Sequence, residues 1–199
     1  MPKQKVNEDF VITQAIKAFR SKSYHNTSMQ DIAEACGLLK GSLYHYFPSK
    51  EALMTKVIEQ MHRYFKEQVW VFAYDKSLEP KERLDRMAEI AEKVFFGKES
   101  GCIMGNIGME TAHIIPEFSE PIRQFFKDYI KALQTVFEEK YPKSQARELA
   151  ERSVSEIEGA VMMTRIFDDK SFLTKTHKRI NHRMNGIEVK SPSARLVKK

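Results

Sequence analysis

The chain has 199 residues, of which 42% are hydrophobic and 30% charged, and its formal net charge is +6. This composition is typical of a globular protein with one large or two small domains. It contains no apolar stretch long enough to span a membrane, and the N-terminus MPKQKVNEDF lacks the apolar region of a secretion signal, so we expect a cytoplasmic protein. The two cysteines, Cys36 and Cys102, exclude a disulfide framework and lack metal-ligand spacing, so we expect neither a metal site nor a cofactor.

The charge is distributed unevenly along the chain. Residues 1–50 hold seven Lys or Arg and four Asp or Glu, residues 175–199 hold eight and one, and the residues between hold 18 and 22. Basic ends around an acidic body favour a DNA-binding head joined to a core that does not bind DNA. We predict that residues 185–199 form a basic, solvated tail, with a second DNA contact as the alternative.

The first predicted element is an amphipathic helix over residues 8–22. Apolar residues recur there at helical spacing and form one stripe, which supports the segment that follows. The stripe consists of Val11, Ile12, Ala15, Ile16 and Phe19.

Residues 27–50, TSMQDIAEACGLLKGSLYHYFPSK, predict two short helices joined by a turn. Ser28, with Asp31 three positions later, has the capping-box pattern of a helix start, and Gly37 can adopt the positive φ that follows a helix end. The second helix is predicted from Lys40 to Tyr46, because Pro48 prevents its continuation. This arrangement is a helix-turn-helix unit, and Ser49 caps the next helix.

The outward side of the second short helix has the chemistry of a DNA-binding surface. Lysine and helix N-termini neutralise phosphates, tyrosine hydroxyls reach phosphate oxygens, and serine, lysine and histidine donate to base edges in the major groove. The alternative is that the aromatic run YHYF only packs the small domain.

This segment resembles the TetR family of bacterial transcriptional regulators, whose N-terminal domain carries a motif close to KGSLYHYFxSKExL. The resemblance covers roughly residues 6–60, and it implies a DNA-binding domain over residues 1–50. The DNA-contacting positions that it implies are Ser28, Lys40, Gly41, Ser42, Tyr44, His45, Tyr46 and Lys50. One departure is that Leu38 and Leu39 stand where a serine or threonine often precedes the KG, which removes a helix cap and a phosphate contact.

The rest of the chain predicts further helices, so the fold is expected to be all-α. Residues 51–184 are assigned to a helical regulatory and dimerisation domain. The predicted helices are a connecting helix at about 49–72, then 80–96, 103–113, a long helix from 116, 145–167 and 170–183.

One stripe of the helix at 145–167 predicts a dimer interface. Small residues in it allow two helices to approach closely, and it resembles the two-helix surface through which the family dimerises as a four-helix bundle. The predicted interface residues are Leu149, Ser153, Ile157, Ala160, Val161 and Thr164. The alternative is an ordinary core stripe.

The family resemblance also implies a small-molecule pocket within residues 80–167. The candidate lining residues are Phe95, Met104, Met109, Glu110, His113, Phe126, Tyr129 and Met163. Methionine and aromatic stripes also form ordinary cores, and Glu110 with His113 supplies two ligands, too few for a metal site. Cys102 begins a segment, GCIMGN, that resembles one in a subset of the family, and it is either a sensing thiol at a helix start or a small buried residue.

These expectations together describe a repressor that binds an inverted-repeat DNA operator as a homodimer and is released by an unidentified small molecule. Two alternatives remain open. One is an architectural protein that coats DNA without sequence preference, and the other is an all-helical enzyme. The sequence has no HExxH, no phosphate-binding glycine loop and no CxxC, so it offers no enzyme motif.

Overall fold

The computed structural model of the chain describes residues 6–97, 101–111 and 114–186. Within these ranges the regular structure is entirely helical, which confirms the predicted all-α fold. The helices are α1 (Glu8–Lys22), α2 (Met29–Ala35), α3 (Lys40–Tyr46), α4 (Lys50–Tyr64), α5 (Pro80–Phe95), α6 (Ile103–Thr111), α7 (Pro116–Phe137), α8 (Lys143–Phe167) and α9 (Ser171–Arg183).

Polar caps and prolines fix where several helices begin. The side chains of Asn7, Ser28 and Ser49 each accept a hydrogen bond from a backbone N–H in the first turn of α1, α2 and α4. Pro80 and Pro116 are the first residues of α5 and α7, where the missing N–H costs nothing. These starts agree with those predicted from the sequence.

The first three helices and the start of α4 share one apolar core. Val11, Ala15, Ile32, Leu43 and Leu53 are completely buried in it. Because α1 packs on both α2 and α4, the helix-turn-helix unit is held firmly against the start of the connecting helix. The predicted domain boundary after residue 50 stays a prediction.

The predicted connecting helix is helical throughout but changes pitch. After α4 the chain forms a π-helical segment over Phe65–Val69 and then a 3₁₀ segment over Trp70–Tyr74. The wider π turn shifts the phase of the helix, so that Phe65, Val69 and Trp70 all turn inward. Phe65 and Trp70 pack on Phe125 of α7, with ring centroids 5.2 and 5.0 Å apart.

Helices α5, α7, α8 and α9 build the larger part of the molecule. Helix α7 packs along α8, and α9 packs on both α8 and α5. Arg183 of α9 donates to both carboxylate oxygens of Glu156 at 2.6 and 2.7 Å and to the hydroxyl of Ser153 at 2.7 Å, which ties α9 to α8. Among the described helices, none combines the length and the apolar character that a membrane-spanning helix requires.

Candidate nucleic-acid interface and regulatory groove

The turn between α2 and α3 sets the angle of the helix-turn-helix unit. Gly37 has a φ of +67°, a conformation that side chains with a Cβ rarely adopt. Ile32 of α2 and Leu43 of α3 are completely buried on the inner side of the unit. The opposite side of α3 therefore faces away from the protein.

That outer side of α3 carries most of the predicted DNA-contacting residues. Lys40, Gly41, Tyr44 and His45 are exposed, and Ser42 is half-buried. Among the described residues, no atom outside the backbone of α3 lies within 4 Å of a Cβ placed on Gly41. The side chains and the bare backbone of α3 are thus available to a partner.

Tyr46 differs from the other predicted contacts on α3. It is half-buried, and its hydroxyl donates a hydrogen bond of 3.3 Å to the carbonyl oxygen of Val6. Tyr46 therefore anchors the chain that enters α1.

The start of α3 lacks a side-chain cap. Leu39 occupies the N-cap position, where it forms no capping hydrogen bond, and 80% of it is exposed. The departure noted in the sequence thus leaves backbone N–H groups at the start of α3 without a side-chain acceptor.

Ser28 has a structural role at the start of α2. Its hydroxyl oxygen accepts from the N–H of Asp31 at 3.2 Å, and its own N–H donates to the Asp31 carboxylate at 2.8 Å. Hydrogen bonds from Lys22 and Ser28 hold the pKa of the Asp31 carboxyl well below its usual range. Ser28 remains exposed beside this cap, but its oxygen already has a partner.

Lys50 is committed to contacts within the protein. Its ammonium group donates to the carbonyl oxygens of Tyr24 at 3.0 Å and Thr27 at 3.1 Å, and it lies 4.3 Å from the centroid of the Tyr24 ring. Two of its three protons are therefore used to hold the turn between α1 and α2. One proton remains for a phosphate.

The turn between α1 and α2 also contacts α4 and α6, and we call this set of contacts the junction (residues 24, 25, 51 and 110). Glu110, at the end of α6, accepts from the backbone N–H groups of Tyr24 at 2.9 Å and His25 at 3.3 Å. The buried Tyr24 donates its hydroxyl proton to Glu51 at 3.0 Å. Helix α6 is thus hydrogen-bonded directly to the turn between α1 and α2.

A groove of about 610 Å³ lies between α6 and α8. Its lining is mainly apolar, with small residues on α6 and α8 and polar groups at a few points. The lining residues are Gly101, Cys102, Gly105, Asn106, Gly108, Met109, Phe126, Glu158, Gly159, Val161, Met162, Arg165 and Ile166.

The predicted pocket residues do not lie together. Met109 and Phe126 line the groove, whereas Phe95, Met104 and Tyr129 are buried in the core, so for these three the core alternative holds. The other predicted members are accounted for separately: Glu110 belongs to the junction, Met163 lines a different groove between α8 and α9, and His113 lies outside the described residues.

Sequence reasoning missed Glu158, the carboxyl group at the floor of the groove. Burial raises the pKa of Glu158 to about 7, while the thiol of Cys102 lowers it by a smaller amount. A carboxylate on the inner side of a long helix has no sequence signal that separates it from an exposed one. Its proximity to Gly105 and Cys102 appears only once α6 is packed against α8.

Cys102 does not have the environment that a sensing thiol needs. It is buried at the start of α6, and burial together with the Glu158 charge raises its pKa well above the usual value. A sensing thiol requires a lowered pKa and access to solvent, so the structure favours the alternative of a small buried residue.

The predicted dimer stripe faces the core of its own protomer. Leu149 is half-buried, and the other five residues of the stripe are buried against neighbouring helices of the same chain. The burial of these side chains within one protomer favours the alternative of a core stripe, and the dimer interface itself stays a prediction. A second stripe of α8 consists of Ser155, Gly159, Met162 and Ile166, of which Gly159 is half-buried and the other three are exposed. Gly159, Met162 and Ile166 also line the groove.

Comparisons with known proteins agree with this geometry. Residues 11–57 match the family described as "Bacterial regulatory proteins, tetR family", and residues 80–179 match "Transcriptional regulator LmrA/YxaF-like, C-terminal domain".

The uncharacterized HTH-type transcriptional regulator YxaF of Bacillus subtilis (strain 168) is 29% identical over 169 residues, which cover 81% of this chain and 86% of that protein. The HTH-type transcriptional repressor DhaR of Mycobacterium sp. (strain GP1) is 24% identical over 124 residues, or 62% of each chain. The crystal structure of a TetR transcriptional regulator from Legionella pneumophila has a TM-score of 0.83 at 21% identity and covers 91% of this chain and 98% of that one, a likeness of fold.

Proposed function

The chain belongs to the TetR family of bacterial regulatory proteins, and from this membership we propose that it is a ligand-responsive repressor that binds an inverted-repeat operator as a dimer. The observation that carries the proposal is the exposed face of α3, where Lys40, Tyr44 and His45 surround a glycine that the protein itself does not require. Similarity to the repressor DhaR supports repression as the direction of control. The family is one of transcriptional regulators and not of enzymes.

Recognition would divide into phosphate anchoring and base reading. The free proton of Lys50 and the N-termini of short helices suit phosphates, whereas Ser42 and His45 suit base edges in the major groove. A helix of seven residues contacts few base pairs. Two heads related by a twofold axis therefore supply the specificity that one head lacks.

Dimerisation would use the second stripe of α8, which is defined by Ser155, Gly159, Met162 and Ile166. These positions follow a spacing of four, three and four residues, the seam along which two helices pack. A Cβ on Gly159 would meet no atom within 4 Å inside the protomer, so the protomer alone does not require a glycine there. A partner helix that packs over this stripe supplies a reason for the glycine, and it would cover the groove on the side that Gly159 and Met162 line.

Control would pass from the groove through α6 to the head. Helix α6 lines the groove along Gly105, Gly108 and Met109, and its end holds the junction through Glu110. A molecule that binds one position of α6 more tightly than another shifts the spacing of the two heads. A coupling of about 1 to 3 kcal/mol would loosen operator binding several-fold to a hundredfold.

The test of this function is selection of binding sites from random duplex DNA at near-physiological salt. We expect one inverted repeat to emerge, with half-sites about one helical turn apart or somewhat more. Ser42→Ala should reduce the sequence preference of the selected sites. The matched change Ser21→Ala, at an exposed position of α1, should leave that preference unchanged. Binding to DNA without any enriched motif would contradict the proposal and point to an architectural protein, whose affinity depends steeply on salt for every sequence.

A further inference from the structure

The floor of the groove holds a carboxyl group with one oxygen that the described part of the protein leaves without a hydrogen-bond partner. The Oε1 atom of Glu158 is buried and has no hydrogen-bond partner among the described residues, although the residue as a whole is partly exposed. A buried ionised oxygen without a donor is strongly unfavourable. The group that would complement it is a hydrogen-bond donor, best one that carries a positive charge.

The surrounding residues give this carboxyl group its space. A Cβ on Gly105 would lie 2.7 Å from Oε2 of Glu158, closer than such atoms approach each other. Any other residue at position 105 would therefore push the end of the Glu158 side chain aside. The glycine at position 105 thus leaves the carboxyl group the space that it occupies.

The titratable and charged groups that face Glu158 come from three neighbouring parts of the chain. They are Cys102 before α6, Tyr129 on α7 and Arg165 at the groove rim on α8. Burial and the Glu158 charge raise the pKa values of both Cys102 and Tyr129, so these two groups stay neutral near pH 7. Arg165 is exposed, and its guanidinium donates to the carbonyl oxygen of Arg20 at 3.4 Å.

The walls of the groove define the other half of a ligand. Phe126, Met109 and Met162 offer an aromatic ring and two adaptable thioether chains. A volume of about 610 Å³ lies within the range of pockets that bind small molecules. The groove therefore suits a ligand with a compact apolar body and one polar group that reaches Glu158 at the floor.

We propose that the effector is an amphipathic amine, whose apolar body packs against Phe126, Met109 and Met162 and whose ammonium head donates a hydrogen bond to Oε1 of Glu158. This inference rests on the proposed ligand-responsive function, because it names the chemistry of the molecule that occupies the regulatory groove. A second protomer on the exposed stripe of α8 would cover Met162 and Ile166 and enclose the bound body further.

The test compares three probes that share one aromatic body: 1-naphthylmethylamine, 1-naphthylmethanol and 1-naphthylacetate. Isothermal titration calorimetry with the full chain at pH 8 should give an affinity for the ammonium at least tenfold above that for the carboxylate. Glu158→Gln should remove this preference, and Glu148→Gln, a change of an exposed acid on the same helix, should retain it. Equal binding of the ammonium and the carboxylate, no binding of the ammonium, or an unchanged preference in Glu158→Gln would each overturn the proposal.

A second measurement uses the unaltered protein, so it does not depend on how a variant folds. With a Glu158 pKa of about 7, the ionised fraction rises from about a tenth at pH 6 to about nine tenths at pH 8, and the ammonium affinity should rise about tenfold. A flat profile over this range would count against Glu158 as the receptor of the head group.

The two proposals fail in different experiments. An absence of sequence-specific DNA binding would remove the regulator function without any reference to the probes. A protein that selects an inverted repeat but shows no ammonium preference would keep its function and lose only this assignment of the effector.

Discussion

Gly41 sits on the recognition helix where the protein leaves room for a larger side chain. Apart from the backbone of α3 itself, none of the described residues lies within 4 Å of a Cβ placed there, and its φ is not in the left-handed region. Glycine in a helix is less stable than alanine by roughly 0.5 to 1 kcal/mol. A destabilising residue without an internal reason indicates that something outside the protein, here the proposed DNA, approaches the backbone of α3.

Gly41→Ala should therefore stabilise the protein and weaken operator binding. We expect the free energy of unfolding to rise by up to about 1 kcal/mol, since alanine favours the helix. Operator affinity should fall at least about tenfold, which corresponds to about 1.4 kcal/mol. Urea denaturation and fluorescence anisotropy with the selected operator measure the two effects, and an alanine variant that binds as tightly as the original would contradict a close DNA approach at this position.

Leu39→Ser should strengthen the start of α3. Leu39 caps no backbone group and is largely exposed, so its replacement loses little packing. A serine hydroxyl accepts from an N–H of the first turn, and such a cap is worth about 1 kcal/mol. Urea denaturation should show this gain for Leu39→Ser and none for the control Leu39→Ala; an equal gain in both would assign the effect to lost apolar exposure.

At the scale of the element, α8 has two apolar sides, one buried within the protomer and one exposed. Its inner stripe, which includes Ile157 and Val161, packs within the protomer, whereas its outer stripe carries Met162 and Ile166 in solvent. Both stripes recur at helical spacing. A helix that is apolar on two sides is expected where one side serves the fold and the other serves a partner.

Introducing a negative charge on each of the two sides of α8 should therefore have different outcomes. Met162→Glu places like charges together in the proposed twofold interface, and we expect the dimer dissociation constant to rise at least about a hundredfold with the fold intact. Ile157→Glu buries an unpaired carboxyl group, and we expect loss of the native fold, as for other buried charges. Analytical ultracentrifugation and circular dichroism distinguish a folded monomer from an unfolded chain, and a Met162→Glu variant that stays dimeric would exclude the outer stripe as the interface.

The positions of the helices were well predicted by the sequence because their ends depend on local chemistry. The bounds of α1 and α3 agree with the prediction, since a cap, a glycine turn and a proline define these ends within a few residues. The π-helical turn at Phe65–Val69 was not predicted, because the inward residues of that segment continue the apolar pattern of an ordinary helix. Its phase shift depends on packing against Phe125, which is distant in the chain.

The use of each helix face was less predictable. Ile157 and Met162 are both apolar residues of one helix, and only the positions of α7 and α9 decide which of them is buried. The same holds for the aromatic residues, because Phe126 and Tyr129 are less than one turn apart, yet one lines the groove and the other lies in the core. Long-range packing, which has no local signal, decided these cases.

At the scale of the whole molecule, α6 is the element that lies between the groove and the DNA-binding head. Its first turn borders Glu158 through Gly105, and its last turn holds the junction through Glu110. The helix spans only Ile103–Thr111, so a shift at one end reaches the other end with little bending.

Glu110→Ala should loosen the junction without unfolding the protein. The carboxylate is half-buried and accepts from two backbone N–H groups, so its removal should speed hydrogen exchange at the amides of Tyr24 and His25. Glu110→Gln keeps an oxygen acceptor and should retain most of the protection. Exchange measured by NMR checks both variants, and unchanged protection in Glu110→Ala would show that these hydrogen bonds do not hold the head.

The buried acid in the groove should make the stability of the molecule depend on pH. The folded-state pKa of Glu158 is raised to about 7 from a usual value of 4.5, so folding favours its protonated form. Its stabilising effect is complete below about pH 4.5 and is lost as the pH rises through 7, by roughly 3 kcal/mol in total. Denaturation between pH 5 and 8.5 should show a steeper decline for the original protein than for Glu158→Gln; parallel profiles would rule out this contribution.

The junction has a consequence for how such a regulator diverges in evolution. Glu110 binds the amides of Tyr24 and His25 through their backbone, and Lys50 binds the carbonyl oxygens of Tyr24 and Thr27, so most of these bonds do not require a particular side chain on the head. Residues of α3 lie outside this set of bonds. Descendants of this protein can therefore acquire new operators by substitution in α3 while inheriting the connection between ligand and DNA unchanged.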